Sequence, residues 1–153
     1  MKNLRTLYFR APIGIIGITG HDKKITEIRL IRNQKTFKND LSFPHLDEAK
    51  SQILDYFANR RKKFNLPIEK KGTEFQHSVW ELIEAIPHGE TKSYGELAKQ
   101  LGSIHKARAV GAACNRNKLL IVVPCHRVMG AKGEIVGFSV GRDIKKMLLE
   151  QEV

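Results

Sequence analysis

Apolar and polar residues alternate along the first third of the chain, as they do in β-strands. Three runs show this pattern: Leu4 to Phe9, Ile13 to Thr19 and Ile25 to Ile31. Short turns at Ala11-Pro12 and at Gly20-His21-Asp22 separate the runs. The pattern predicts an antiparallel meander.

The apolar spacing then changes to that of a helix. Apolar residues fall at helical spacing at Leu46, Ala49, Ile53, Tyr56 and Phe57, and the basic stretch 60–63 is predicted to close the helix. His21 and His45, in this part of the chain, are predicted to be surface residues. The segment Leu66 to Gly72 contains a proline, two lysines and a glycine, which is typical of a linker. We therefore predict an N-terminal α/β lobe over 1–66, a linker over 67–72 and a C-terminal lobe over 73–153.

The C-terminal lobe is predicted to be mostly helical. Thr73 and Gln76 form a capping-box pattern ahead of a helix. A short helix over 93–102 and a second one over 106–115 suggest a helix-turn-helix. The second helix contains Arg108, is directly followed by Arg116, and has small residues that would let its backbone approach a groove while an arginine reaches in. These small residues are Ala107, Ala109, Gly111, Ala112 and Ala113.

The chemistry of the chain is concentrated in Pro124-Cys125-His126-Arg127. The apolar run 119–123 before it predicts a buried strand. Proline cannot donate to a sheet, so Pro124 is expected to end the strand and deliver Cys125 to a pocket floor. A neighbouring histidine or arginine lowers the pKa of a thiol and makes it nucleophilic. The fold class is therefore α/β, with this motif at a strand end.

Other features of this lobe are predicted to be structural. A free cysteine is more often a packing residue than a reactive one, and that interpretation is given to Cys114. A helix over 141–151 is expected to close the lobe. Arg142, Lys145 and Lys146 would form its solvated face.

Composition limits the classes of function. The net charge of +11 over 153 residues favours a polyanionic partner, with solvated lysine-rich faces as the alternative. The two cysteines lack metal-site spacing, so neither a disulfide scaffold nor a structural metal is expected. No apolar run has membrane-spanning length, and no signal-peptide core follows the start. We expect a cytoplasmic protein with no membrane association.

Five features, taken in order, resemble the O6-alkylguanine-DNA alkyltransferases, also called methylated-DNA–protein-cysteine methyltransferases. They are Ser93-Tyr94, Arg108-Ala109-Val110-Gly111, Asn117, Pro124-Cys125-His126-Arg127-Val128 and Gly137-Phe138-Ser139. The resemblance implies direct-reversal DNA repair without a cofactor. It implies that O6-alkylguanine, and O4-alkylthymine as well, is flipped out of duplex DNA. The alkyl group would then pass once and irreversibly to the cysteine.

The resemblance also implies roles for individual residues. Cys125 would accept the alkyl group, and His126 would deprotonate it through a water molecule. Glu152 would orient His126, while Asn117 would support the relay and the active-site turn. The remaining roles concern DNA: Tyr94 would donate to the flipped base, Arg108 would fill the vacated stack, and Ser139 would donate toward O6. Arg127 is interpreted as structural, bridging the two lobes by salt bridges.

The sequence departs from the commonest family pattern at three positions. Phe138 stands where many members have tyrosine, so stacking would persist without a hydroxyl group. Lys118 and Leu120 stand where some members have prolines, which leaves the acceptance of bulky alkyl groups open.

Two other functions fit the residues. One is a helix-turn-helix regulator with an inert Cys125, and the other is a cysteine hydrolase that forms an acyl-enzyme. A regulator would not be labelled by alkylated DNA. A hydrolase would turn over repeatedly, whereas an alkyl acceptor would stop after one event. The expected partner is double-stranded DNA, bound through its minor groove by a monomer.

Overall fold

A computed structural model describes residues 3–153 of the chain. Met1 and Lys2, with which the predicted N-terminal lobe begins, lie outside the described residues. The chain forms two compact units. The first runs to Lys70 and includes Lys118–Leu120, and the second contains Lys71–Asn117 and Ile121–Val153.

The first unit is built on an antiparallel sheet, which confirms the predicted meander. Its strands β1 (Arg5–Ala11), β2 (Gly14–Gly20) and β3 (Ile25–Ile31) lie side by side in chain order. Helix α1 (Pro44–Phe57) begins with proline, whose fixed φ suits the first helical position. Its buried side chains complete the core against β1 and β2, and they include Leu46, Ala49, Ile53 and Tyr56.

The outer edge of β3 is covered by two short segments of the same unit. The backbone of Ile25 pairs with the carbonyl of Pro67 and the amide of Glu69, both at 2.8 Å. The backbone of Ile28 pairs with Lys118 and Leu120 at 2.8 and 3.1 Å. The start of the predicted linker 67–72 is therefore hydrogen-bonded to the sheet, which leaves less of a strand edge exposed.

The prediction of a strand over 119–123 is wrong. Leu119 makes one parallel bridge to Ile28, and a turn follows in which Ile121 has a φ of 71°. A short apolar run indicates burial without deciding between a strand and a buried turn. Cys125 consequently begins a 3₁₀ helix (Cys125–Arg127) and does not lie at a strand end.

The second unit is mostly helical. Its elements are α2 (Glu74–Glu84), β4 (Lys92–Ser93), α3 (Tyr94–Gln100), α4 (Ala107–Asn115), β5 (Val128–Met129) and α5 (Arg142–Gln151). The capping box of Thr73 and Gln76 is present as predicted. Strand β5, which directly follows the 3₁₀ helix, pairs in parallel with β4. None of the helices within residues 3–153 is long and apolar enough to cross a membrane.

The helix-turn-helix consists of α3 and α4, joined by a 3₁₀ turn over Ile104–Lys106. Gly102 follows α3 with a φ of 113°, a conformation that side chains rarely adopt. Trp80 donates from its indole nitrogen to the Ala113 carbonyl at 2.9 Å, which ties α2 to α4.

The prediction that His21 is a surface residue is also wrong. Its side chain is buried, and Nε2 lies 3.4 Å from a carboxylate oxygen of Glu69. Nδ1 accepts a hydrogen bond from the Lys23 amide. Because both ring nitrogens have polar partners, the ring can be buried at low cost.

Candidate active site

Cys125 is held at the start of its 3₁₀ helix by the preceding turn. Its side chain is buried, and Sγ accepts a hydrogen bond from Asn117 Nδ2 at 3.3 Å. The same amide group donates to the Val123 carbonyl at 2.8 Å. Asn117 therefore fixes both the turn and the thiol.

Next to Cys125 lies a buried chain of charged and polar groups. His126 Nε2 is 2.7 Å from Glu152 Oε2. Arg127 grips the same carboxylate with two hydrogen bonds of 2.8 and 3.0 Å and also donates to the Ile86 carbonyl at 2.7 Å. These two hydrogen bonds from the Arg127 guanidinium compensate the buried negative charge of Glu152. The interpretation of Arg127 as a bridge between the lobes is corrected, because these partners all lie in its own unit.

The hydrogen bonds assign the tautomer of His126. An ionised Glu152 can only accept, so Nε2 carries the proton and Nδ1 carries a lone pair. Burial lowers the pKa of His126; the hydrogen bond and charge of Glu152 raise it, and the charges of Arg127 and Lys145 lower it further. Nδ1 is buried and has no hydrogen-bond partner among the described residues. A neutral imidazole with an available lone pair is suited to act as a base.

Cys114 is part of the site, although the sequence indicated only packing. It lies on the buried side of α4, and its backbone carbonyl accepts a hydrogen bond from the backbone N–H of Asn117 at 3.2 Å. Hydrogen bonding with the Cys114 thiol raises the pKa of Cys125 well above its usual value, and burial and the charge of Cys114 add to this. Asn117 and Lys145 act in the opposite direction. In this state Cys125 is held as a thiol that needs a base.

Lys145 is also part of the site, and the prediction of a solvated lysine is wrong. Its side chain is fully buried, and Nζ donates to the carbonyls of Val128, Val136 and Gly137 at 2.5, 2.9 and 3.4 Å. Burial lowers the pKa of Lys145, whereas Cys114 and Cys125 raise it. The spacing of charged residues along a helix does not show that one of them turns inward. Three convergent carbonyls compensate its burial.

The aromatic residues lie beside this lysine. Its Nζ is 5.8 Å from the centre of the Tyr94 ring and 5.9 Å from that of Phe138. Burial raises the pKa of Tyr94 to about 12, and the charges of Cys114 and Cys125 contribute. The phenol thus remains a hydrogen-bond donor at neutral pH. Ser139, next to Phe138, is exposed.

The residues predicted to contact DNA lie elsewhere on α4. Arg108 and Ala109 are exposed, as is Arg116 just after the helix, whereas Val110, Ala113 and Cys114 form its buried side. Ala107 and Gly111 are half-buried, and the ring of Tyr94 lies over Gly111. The helix therefore presents small and basic residues outward. Within residues 3–153, no cluster of side chains is suited to hold a metal ion.

Two family profiles match the chain. Residues 74–153 match the 6-O-methylguanine DNA methyltransferase DNA binding domain, and residues 4–70 match the ribonuclease-like domain of the same proteins. The chain belongs to this methyltransferase family.

Similar proteins support the assignment over nearly the whole length of this methyltransferase. The methylated-DNA–protein-cysteine methyltransferase of Methanosarcina acetivorans is 41% identical over 148 residues, which is 94% of this chain and 95% of that protein. The crystal structure of the Mycobacterium tuberculosis O6-methylguanine methyltransferase has a TM-score of 0.87 at 36% identity, covering 98% and 93% of the two chains. A structure of the M. tuberculosis OGT in complex with DNA has a TM-score of 0.84 at 39% identity, covering 97% and 91%.

Proposed function

We propose that this protein repairs DNA by direct reversal, moving the alkyl group of O6-alkylguanine onto Cys125. The observation that carries the proposal is the position of Cys125. Its thiol accepts a hydrogen bond from Asn117. The next residue, His126, is hydrogen-bonded to Glu152, which in turn is held by Arg127. Membership of the family supports the same reaction.

The proton of the thiol passes to His126. Because Nε2 donates to Glu152, Nδ1 is the atom that accepts, and a buried lone pair without a protein partner is suited to do so through one water molecule. Glu152, held by Arg127, stabilises the imidazolium that forms. The raised pKa of Cys125 is the reason a base is needed.

The transfer is a displacement at carbon. Cys125 sulfur forms a bond to the alkyl carbon while the carbon bond to O6 breaks, and the electron pair of that bond stays with guanine. The proton held by His126 then passes to the guanine through the same water molecule, so the guanine leaves neutral and His126 returns to its neutral form. Tyr94 remains protonated and donates a hydrogen bond to the departing base. Ser139, exposed beside Phe138, is proposed to donate toward O6.

The base reaches Cys125 only after leaving the DNA stack, because the reacting carbon is inaccessible inside a duplex. Helix α4 is proposed to lie in the minor groove, where its small residues permit close approach. Arg108, exposed on this helix, would occupy the space left in the stack. Each monomer would act once and without a cofactor, because the sulfur keeps the alkyl group. O4-alkylthymine is proposed as a second substrate.

Intact-mass analysis after mixing with a duplex carrying O6-methylguanine tests the proposal. We expect one methyl group per protein, located at Cys125 by peptide mapping, and none in Cys125→Ser. The Cys125→Ser protein should still bind the duplex. An unlabelled wild-type protein would indicate a helix-turn-helix regulator, and repeated turnover would indicate a hydrolase.

A further inference from the structure

The positive charge of this protein is unevenly divided between its two units. The first unit contains 16 lysines and arginines against 7 acidic residues, and the second contains 11 against 9. The first unit therefore carries +9 of the net +11. The second unit, which matches the DNA-binding profile, is nearly neutral. Lysines and arginines that neutralise phosphates supply the salt-dependent part of DNA affinity, and the first unit has the larger excess of them.

Part of this charge lies on the side of the sheet that points away from α1. The strand register places Tyr8, Gly17 and Arg29 in one row across the sheet. Arg10 lies in the next row, with Ile15 and Ile31. A Cβ atom at Gly17 would come within 3.1 Å of the Tyr8 ring, so glycine leaves room for that ring beside β2.

The loop after β3 adds cations to this side. Asn39 exchanges hydrogen bonds of 2.8 and 2.9 Å with the backbone of Tyr8, which fixes the loop along the edge of β1. Arg10 donates to the Lys35 carbonyl at 2.7 Å and lies 5.5 Å from the centre of the Phe37 ring. The loop is thereby held with its lysines exposed.

All five cations of this region are exposed: Arg10 and Arg29 belong to the sheet, and Arg32, Lys35 and Lys38 belong to the segment that follows β3. We call these five residues the basic face. Its acidic residues are Glu27, which lies 3.5 Å from Arg29, and Asp40 on the loop. Tyr8 and Phe37 contact each other with ring centres 6.3 Å apart and are only partly exposed. The face thus offers cations for phosphates and little aromatic surface for stacking with bases.

We propose that this basic face of the first unit binds the phosphate backbone of duplex DNA and supplies most of the protein's sequence-independent, salt-sensitive affinity. The proposal rests on DNA being the substrate, as proposed above. It assigns to the first unit a role separate from alkyl transfer. Guanidinium and ammonium groups spread over a sheet face suit phosphates, which carry no sequence information.

The test compares two triple variants of the full-length protein. The face variant is Arg32→Gln, Lys35→Gln, Lys38→Gln. The control variant is Lys24→Gln, Lys62→Gln, Lys63→Gln, which removes the same charge from exposed positions of the same unit away from the face. Affinity for a short unmodified duplex is measured over a range of salt concentrations. Urea unfolding establishes that both variants remain folded.

The face variant should reduce the slope of log affinity against log salt by about 2 to 3, because each lost phosphate contact removes about 0.9. The control variant should retain nearly the wild-type slope. An equal reduction of the slope in both variants would overturn the proposal, because it would show that net charge alone, and not this face, determines the affinity. A wild-type slope in the face variant would do the same. Absence of methyl uptake by the wild-type protein would instead contradict the proposed function.

Discussion

At the scale of single residues, the reactivity of Cys125 depends on two neighbours with opposite effects. Cys114 raises the pKa of the acceptor thiol, and Lys145 lowers it. Neither residue belongs to the motif that identified the site. A cysteine within an apolar helix face and a lysine within a basic stretch carry no sequence signal that they turn toward the same thiol.

Replacing Cys114 by alanine should shift the reaction of Cys125 to lower pH. The substitution removes the hydrogen bond and the charge that hold the Cys125 pKa above its usual value, so the thiolate forms more readily. Transfer rates from free O6-benzylguanine, measured between about pH 6 and about pH 10, would show the change. Cys114→Ser, which keeps a hydrogen-bonding group, should move the profile less. An unmoved inflection in Cys114→Ala would contradict this role.

Replacing Lys145 by methionine should have the opposite effect. Without the cation, the pKa of Cys125 rises further, so the pH profile of transfer moves upward. The carbonyls that Lys145 satisfies would also lose their donor, at a cost of about 1 to 3 kcal/mol each if they stay buried. Urea unfolding measures that cost. Lys146→Met, at the exposed neighbouring position, serves as the control and should change neither quantity.

Glu152→Gln tests the proton relay. A neutral amide can no longer stabilise the imidazolium of His126, so transfer should slow by about 10² to 10⁴, the range of general-base effects. His126→Ala should slow transfer within the same range. Affinity for an unmodified duplex should remain near the wild-type value in both variants. Transfer at the wild-type rate in either variant would show that another group accepts the thiol proton.

At the scale of elements, local sequence signals predicted some structures well and others poorly. The Thr73 and Gln76 box specifies the start of α2 through its two side chains, so this helix end could be predicted directly from the sequence. The shape of the turn after Asn117 could not be predicted from local sequence signals. Its apolar residues are buried as predicted, but its shape depends on the Asn117 amide and on an unusual φ at Ile121. Both are results of tertiary packing.

The role of α4 can be tested by separating base flipping from chemistry. Arg108→Ala should slow transfer from duplex DNA, because nothing would fill the vacated stack. Its effect on free O6-benzylguanine should be much smaller, since a free base avoids the unstacking cost of a few kcal/mol. Single-turnover rates on both substrates measure the difference. An equal loss on both would mean that Arg108 supports the helix and does not enter the DNA.

At the scale of the whole molecule, the sequence predicted the net charge and the two-part order of elements. It did not predict that residues 118–120 join the sheet of the first unit. That pairing is made by backbone atoms of Ile28, Lys118 and Leu120, and backbone hydrogen bonds leave no recognisable pattern of side chains in the sequence.

The pairing of residues 118–120 with the sheet of the first unit has a consequence for protein engineering. The chain enters the first unit a second time, only a few residues before Cys125, and then returns. A chimera made by exchanging a contiguous N-terminal piece would therefore keep the wrong edge segment for its new sheet. Isolated residues 71–153 would expose Leu119 and Leu120, and isolated residues 3–70 would leave part of the β3 edge open to pairing with other chains. A domain exchange in this fold needs three junctions, after residues 70, 117 and 120, and the last one lies within the turn that positions the acceptor thiol.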